Sequence, residues 1–219
     1  MPLLLDKPMG YSSHDMVDLV RRILHERTVG HAGTLDPLAT GLLLLLVGRV
    51  ETKRQAEFMG LDKVYVTELT FGYTSSTYDA EGQLQYSGDA NTITQEQCAN
   101  ILTQFQGTIE QVVPAYSAVK QGGRKLYQLA RAGQINQSTL PKRTVTIFDL
   151  TIVAWQPPRA ILQVRCTSGT YIRSLAHDIG QTLAVGAYVS ALRRTRIGDY
   201  DVREALTPEQ FMQQHYSDK

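Results

Sequence analysis

Several features that define other protein classes are scarce or missing in this chain of 219 residues. The two cysteines, Cys98 and Cys166, are too few for a disulfide framework or a cysteine-rich zinc site. The longest apolar run, Leu42 to Val47, is far shorter than the roughly 20 residues that a membrane-spanning helix needs. The apolar residues after Met1 reach Asp6 almost at once, which predicts that there is no secretory signal. We therefore expect a cytoplasmic globular protein that does not bind a membrane.

A strong net charge is also missing, because 22 Lys and Arg residues nearly balance 21 Asp and Glu residues. The distribution of charge is less even. Residues 111–148 contain no acidic side chain but include the basic residues Lys120, Arg124, Lys125, Arg131, Lys142 and Arg143. A second basic cluster near the end of the chain comprises Arg193, Arg194 and Arg196. Such local basic surface is typical of phosphate contacts, although a solvated surface is an equally good interpretation.

Hydrophobic periodicity and turn residues predict an α/β chain with a mixed or antiparallel sheet. Capping-box patterns at Ser12–Asp15 and Thr94–Gln97 predict two helix starts. The predicted strands cover residues 64–71, 144–153 and 160–166, and residues 42–47 are predicted to be a buried apolar run. The other predicted segments are a loop over 72–88, a short helix over 126–132, and helices over 171–185 and 187–194.

The most informative segment surrounds Asp36, in a glycine-bounded turn between two apolar runs. From its spacing alone, Asp36 is more simply interpreted as the N-cap of a helix whose first residue is Pro37. The alternative is a nucleophile that the turn presents to a substrate. The local pattern leaves both interpretations open.

The nine residues Gly33–Gly41 (GTLDPLATG) resemble the signature of the TruB family of pseudouridine synthases, which modify tRNA with one essential aspartate. Other segments resemble the same family in the same order: LLDKPMG at 4–10, KVY at 63–65, DAEG at 79–82, PAYSAVK at 114–120, GRKLY at 123–127, SGTYIRSLAHD at 168–178 and SALRRT at 190–195. The resemblance covers residues 3–206. The chain departs from the family pattern at Ser75-Ser76-Thr77, where Thr-Asp-Thr is common.

The resemblance implies an α+β pseudouridine synthase fold. Its central sheet would be mixed and mainly antiparallel, with flanking helices and a basic thumb-like insertion. The implied domains are a catalytic domain over 1–206, with the insertion at about 111–143, and a short C-terminal tail over 207–219. The C-terminal PUA domain of bacterial members would then be missing.

The resemblance also assigns the site residues. Asp36 would be the nucleophile, Tyr65 would stack on the uracil, and Arg173 would pair with Asp36 and orient its oxygens. The implied substrate-binding residues are His31, Asp79, Tyr171, Lys120, Arg124, Arg143 and Leu192. His31 would fill or support the space left by the flipped base.

The implied activity is the isomerisation of uridine to pseudouridine at position 55 of the tRNA T-loop, on a base flipped out of its stack. The reaction is redox-neutral, so neither a metal nor an organic cofactor is expected. The expected partner is the T-arm of tRNA, bound by a monomer. Three alternatives remain: a non-catalytic tRNA-binding or tRNA-folding factor that keeps the fold, the catalytic subunit of a guide-RNA ribonucleoprotein, and a metal-dependent hydrolase that uses His31 and Asp36.

Overall fold

The computed structural model describes residues 1–216 and contains two compact units. The first unit combines Met1–Val66 with the described residues from Leu192 onwards, and the second is Thr67–Ala191. Two strands, β4 (Lys63–Phe71) and β12 (Ala187–Ile197), contribute residues to both units. The architecture is α+β with a central mixed sheet and flanking helices, which confirms the expected fold class.

The first unit has a mixed arrangement of strands and short helices. Its other elements are β1 (Leu3–Lys7), α1 (Ser13–Leu24), β2 (Val29–His31), β3 (Thr40–Val47), α2 (Gly48–Lys53), α3 (Gln55–Gly60), β13 (Tyr200–Asp201) and α7 (Pro208–Tyr216). Strand β3 pairs antiparallel with β1 and β2, and parallel with β12. Strand β13 pairs antiparallel with β12.

Strand β3 is the buried run that the sequence predicted, and both of its faces are packed. Leu43 and Leu45 belong to one core cluster, which also contains Leu5, Met16, Val17, Val20, Val29 and Phe211. Leu42, Leu44 and Leu46 belong to a second cluster, which also contains Ala32, Phe58 and Ile197. Side chains alternate along a strand, so a strand that is packed on both faces has a continuous apolar sequence. Each buried leucine stabilises the fold by about 1.5–3 kcal/mol, which makes β3 a firm support for the preceding loop.

The second unit contains most of the antiparallel sheet. Its other elements are β5 (Tyr73–Ser75), β6 (Leu84–Tyr86), α4 (Gln95–Leu102), β7 (Gly107–Val112), β8 (Lys120–Gln121), β9 (Arg124–Lys125), α5 (Leu126–Arg131), β10 (Lys142–Gln156), β11 (Arg159–Cys166) and α6 (Ile172–Thr182). The strand order is β4-β11-β10-β7, with β10 antiparallel to both of its neighbours. Strands β5 and β6, and strands β8 and β9, form two separate hairpins.

Both predicted capping boxes are confirmed. The Ser12 hydroxyl accepts from the Asp15 N–H at 3.1 Å, and the Asp15 carboxylate accepts from the Ser12 N–H at 2.7 Å. Thr94 and Gln97 make the equivalent pair of hydrogen bonds at the start of α4. These contacts lie within one helical turn, so the local sequence is sufficient to predict them.

Two local predictions were wrong. The predicted helix over 187–194 is part of strand β12, because its backbone pairs with β3 on one side and β13 further along. The predicted loop over 72–88 contains the β5–β6 hairpin. Among residues 1–216, the structure has no helix with the length and apolar character that crossing a membrane requires.

Candidate active site

Asp36 lies in a tight turn and not at the start of a helix. The Ala39 N–H donates to the Asp36 carbonyl oxygen at 3.0 Å, and strand β3 begins at the next residue, Thr40. Pro37 occupies the second position of this turn, where its fixed φ is favourable. The helix-cap interpretation of Asp36 was therefore wrong.

Polar contacts from other segments fix the backbone on both sides of Asp36. The Ser13 hydroxyl accepts from the Leu35 N–H at 2.8 Å and lies 3.2 Å from the Leu35 carbonyl oxygen. The Lys7 ammonium group donates to the Pro37 carbonyl oxygen at 3.4 Å. Ser13 and Lys7 are both fully buried. Hydrogen bonds to Leu35 and Pro37 therefore fix the backbone on either side of Asp36.

His31 ends strand β2, five residues before Asp36, and its side chain is half-buried. Its ring Nδ1 is buried and has no hydrogen-bond partner within the described part of the chain. Burial lowers the pKa of His31, and the positive charges of Arg194 and His14 lower it further. The imidazole is therefore neutral near pH 7.

Tyr65 and Leu192 also belong to the first unit. Tyr65 lies on the more buried face of β4, and Leu192 lies on β12; each exposes 9% of its surface. The stacking of Tyr65 on the uracil and the role of Leu192 in binding the substrate remain predictions.

Arg173 is a buried residue of α6 with three partners in two other segments of the second unit. Its Nε lies 3.5 Å from Oδ2 of Asp79. Its Nη1 and Nη2 each donate at 3.0 Å, to the carbonyl oxygens of Thr77 and Tyr116. Only 5% of the surface of Arg173 is exposed. The predicted pairing of Arg173 with Asp36 stays a prediction, since the two residues belong to different units.

Asp79 is held by hydroxyl groups from the segment that departs from the family pattern. Its Oδ1 accepts from the Thr77 hydroxyl and, at 3.0 Å, from the Glu81 N–H. The Ser75 hydroxyl donates to the Asp79 carbonyl oxygen. The altered sequence thus still supplies the hydrogen bonds that fix a buried carboxylate beside Arg173.

Tyr171 is positioned by a buried glutamine that the sequence did not identify. The Gln111 side-chain amide accepts from the Tyr171 N–H at 3.0 Å and donates to the Tyr171 carbonyl oxygen at 3.3 Å. The Tyr171 side chain packs against a cluster formed by Val113, Leu126 and Leu140. This cluster joins the basic segment 111–143 to the start of α6.

The predicted phosphate-binding residues lie at exposed positions of the basic segment. Lys120 and Arg124 are exposed on the β8–β9 hairpin, where Arg124 also donates to the Gln134 side chain at 2.9 Å. Arg143 is exposed on β10, and its guanidinium lies against Gly169, where a Cβ atom would overlap with it. The Tyr127 ring has the cations of Lys125 and Arg131 within 6 Å of its centroid, at 5.6 and 5.7 Å.

The second basic cluster is not a uniform surface. Arg193 forms an ion pair with Asp6, with 2.6 Å between Nη2 and Oδ2. Arg194 exposes only 1% of its surface. Arg196 is half exposed, and its Nε lies 3.9 Å from Asp201. A run of arginines gives no local signal that one of them is buried, so the sequence could not identify Arg194.

Within residues 1–216, no group of three or more His, Cys, Asp or Glu side chains is placed to hold a metal ion.

The chain matches two family models. Residues 21–172 match the N-terminal domain of the TruB family pseudouridylate synthases, and residues 173–219 match the C-terminal domain of tRNA pseudouridylate synthase B. This chain belongs to the TruB family.

Curated relatives and solved structures agree with this membership in the TruB family. A tRNA pseudouridine synthase B from Syntrophotalea carbinolica is 44% identical over 207 residues, covering 94% of this chain and 67% of that protein. The enzyme of the same name from Pseudomonas aeruginosa is 44% identical over 213 residues, covering 97% of this chain and 69% of that protein. A chain in the crystal structure of a Cbf5–Nop10–Gar1 complex is 27% identical with a TM-score of 0.75. That match covers 98% of this chain and 54% of the solved chain, so this chain spans about half its length.

Proposed function

We propose that this TruB-family chain is a tRNA pseudouridine synthase that isomerises uridine 55 of the T-loop, with Asp36 as nucleophile. The observation that carries the proposal is the turn at Asp36. A carboxylate at the family's signature position is half-buried, and both neighbouring residues are held by buried polar groups. The names of the curated relatives support tRNA as the substrate.

The chemistry fits the side chains available. The isomerisation breaks the N1–C1′ bond, turns the uracil, and joins C5 to C1′; C5 loses a proton and N1 gains one. An ionised Asp36 would add to C1′ or to C6 and leave again when the C–C bond has formed. No electrons are exchanged with another molecule, so the balance of the reaction needs no cofactor.

The other predicted residues complete this proposal. Tyr65 stacks on the uracil and Leu192 takes part in binding the substrate, while Arg173, fixed by Asp79, orients the nucleophile. Neutral His31 fills the space left by the flipped base, whose unstacking costs on the order of a few kcal/mol. Tyr171 forms a wall of the pocket.

The basic segment would bind the RNA backbone. Lys120, Arg124 and Arg143 contact phosphates and fix the register of the T-arm without reading its sequence. The protein acts in this proposal as a cytoplasmic monomer.

The proposal is tested by incubating the purified protein with an unmodified tRNA transcript and mapping pseudouridine by chemical probing and primer extension. We expect one modified position in the T-loop, and no product from a matched transcript in which uridine 55 is replaced by cytidine. Tight tRNA binding without any pseudouridine would instead favour the non-catalytic tRNA-binding or tRNA-folding factor. Activity that a chelator abolishes would favour a metal-dependent reaction.

A further inference from the structure

Arg194 connects the two ends of the loop that carries Asp36. Its Nε donates to the Leu42 carbonyl oxygen at 2.8 Å, just after the loop. Its Nη2 donates to the Gly33 carbonyl oxygen at 3.1 Å, just before Asp36. Since only 1% of Arg194 is exposed, its guanidinium is an internal part of the first unit and cannot bind a phosphate at the surface.

Two glycines allow this contact. Gly41 pairs with Arg194 in the parallel register of β3 and β12, at a φ of 104°. A Cβ atom at Gly41 would overlap with the Arg194 carbonyl oxygen. Gly33 has a φ of 93°, and a Cβ atom there would lie 3.5 Å from Nη1 of Arg194. Both glycines adopt a backbone conformation that other residues rarely adopt, and this brings the loop ends within reach of one guanidinium.

We propose that Arg194 is a positioning residue for Asp36: its planar guanidinium joins the carbonyl groups on both sides of the loop and so fixes where the carboxylate is presented. This role rests on the proposed function, in which Asp36 is the nucleophile. Arg194 touches neither substrate nor reacting atoms in this proposal, and it positions Asp36 through the loop.

The expected effect follows from the geometry of the donors. A methionine at position 194 fills similar space but donates nothing, so both buried carbonyl groups lose their partner. A shift of about 1 Å in a reacting group can slow a reaction by about 100-fold. A lysine keeps the positive charge, but its single ammonium cannot reproduce the two-pronged arrangement of a guanidinium. We therefore expect Arg194→Met to be slow and Arg194→Lys to be intermediate.

The test compares wild type, Arg194→Met and Arg194→Lys in single-turnover pseudouridine formation and in tRNA affinity. Arg203→Met is the matched control, because Arg203 is exposed and its ion-pair partner is Asp201, which is not part of the loop. We expect the single-turnover rate of Arg194→Met to fall by about 100-fold while its tRNA affinity is unchanged. Partial recovery in Arg194→Lys and a wild-type rate in Arg203→Met complete the expected pattern.

A second readout reports the position of the guanidinium independently of catalysis. Burial lowers the pKa of His31, and Arg194 and His14 lower it further. Titration of the His31 ring by NMR should therefore give a higher pKa in Arg194→Met than in wild type or Arg194→Lys. If Arg194→Met does not fold, as judged by circular dichroism, the rate and affinity of Arg194→Lys decide the question.

Wild-type rates in both Arg194 variants would overturn the positioning role and leave the proposed function intact. A parallel loss of affinity and rate would also overturn it, since that result indicates general damage to the fold. A wild-type protein that forms no pseudouridine would overturn the proposed function itself, and the role of Arg194 with it.

Discussion

The buried residues Arg173 and Arg194 have different kinds of partner: a carboxylate in one case and backbone carbonyl groups in the other. Arg173 lies beside the Asp79 carboxylate, whereas Arg194 donates to the carbonyl oxygens of Gly33 and Leu42. A buried cation that lost its partners would be strongly destabilising, by about 3–5 kcal/mol for an ion pair. Each arginine therefore fixes the backbone or the side chain to which it donates.

Asp178 gives a prediction at the residue scale. Burial raises the pKa of Asp178 from 3.8 to about 6, so the folded protein holds a proton that the unfolded chain releases between these values. Ionising Asp178 thus lowers the free energy of unfolding as the pH rises from about 4 to 6. We expect Asp178→Asn to stabilise the protein above pH 6, by on the order of 1–3 kcal/mol.

Denaturant unfolding of wild type and Asp178→Asn at pH 4 and pH 7.5 measures this effect. The stability gain should be present at pH 7.5 and small at pH 4. An equal gain at both pH values would show that the carboxyl group is not responsible.

At this scale the sequence could identify Asp36, Tyr65 and Arg173 as candidates, because each lies in a recognisable motif. It could not predict that Arg173 lies beside Asp79, since those residues are 94 positions apart and meet only when the second unit folds. Gln111 and Arg194 carry no motif of their own and become noticeable only through their buried partners.

At the scale of elements, the position of the loop between β2 and β3 depends on the close approach of Gly41 in β3 to the backbone of Arg194 in β12. Gly41→Ala would combine an unfavourable φ with a clash against the backbone of Arg194, so we expect a loss of about 4 kcal/mol or more. Gly48→Ala is the matched control. Gly48 has a φ of 80°, but a Cβ atom added there would lie within 4 Å of no neighbouring side chain or backbone atom among the described residues. Only the unfavourable φ, which costs about 1–2 kcal/mol, would then destabilise Gly48→Ala.

The free energies of unfolding of both glycine variants check this prediction. Equal losses in Gly41→Ala and Gly48→Ala would mean that β3 can move away from β12 at little cost.

The elements that the sequence predicted correctly are those with local signals. Helices α1 and α4 begin at capping boxes, and β3 is a continuous apolar run. Part of strand β12 was predicted as a helix because the spacing of its apolar residues does not distinguish a helix from a strand. Its pairing with β3 joins residues about 150 positions apart. Such pairing has no trace in the local sequence.

At the scale of the whole molecule, the net charge of +1 gives little long-range attraction to RNA. Binding should then depend on the local basic segment, where Lys120 and Arg124 are exposed. We expect the double variant Lys120→Ala/Arg124→Ala to bind tRNA more weakly and with a shallower salt dependence. Each lost phosphate contact should reduce the slope of log affinity against log salt by about 0.7–0.9.

Filter binding over a range of salt concentrations measures that slope. Arg159→Ala, which removes an exposed charge on β11, is the control and should keep the wild-type slope. An unchanged slope in the double variant would place the RNA on another surface.

The central claim, that Asp36 is the nucleophile of a tRNA pseudouridine synthase, is tested most directly with Asp36→Asn. The measurement is pseudouridine formation in a single turnover on an unmodified tRNA transcript, with tRNA affinity determined in parallel. We expect no detectable pseudouridine and an unchanged affinity, because asparagine keeps the shape of the turn but lacks a nucleophilic carboxylate. Pseudouridine formation at the wild-type rate in Asp36→Asn would contradict the claim.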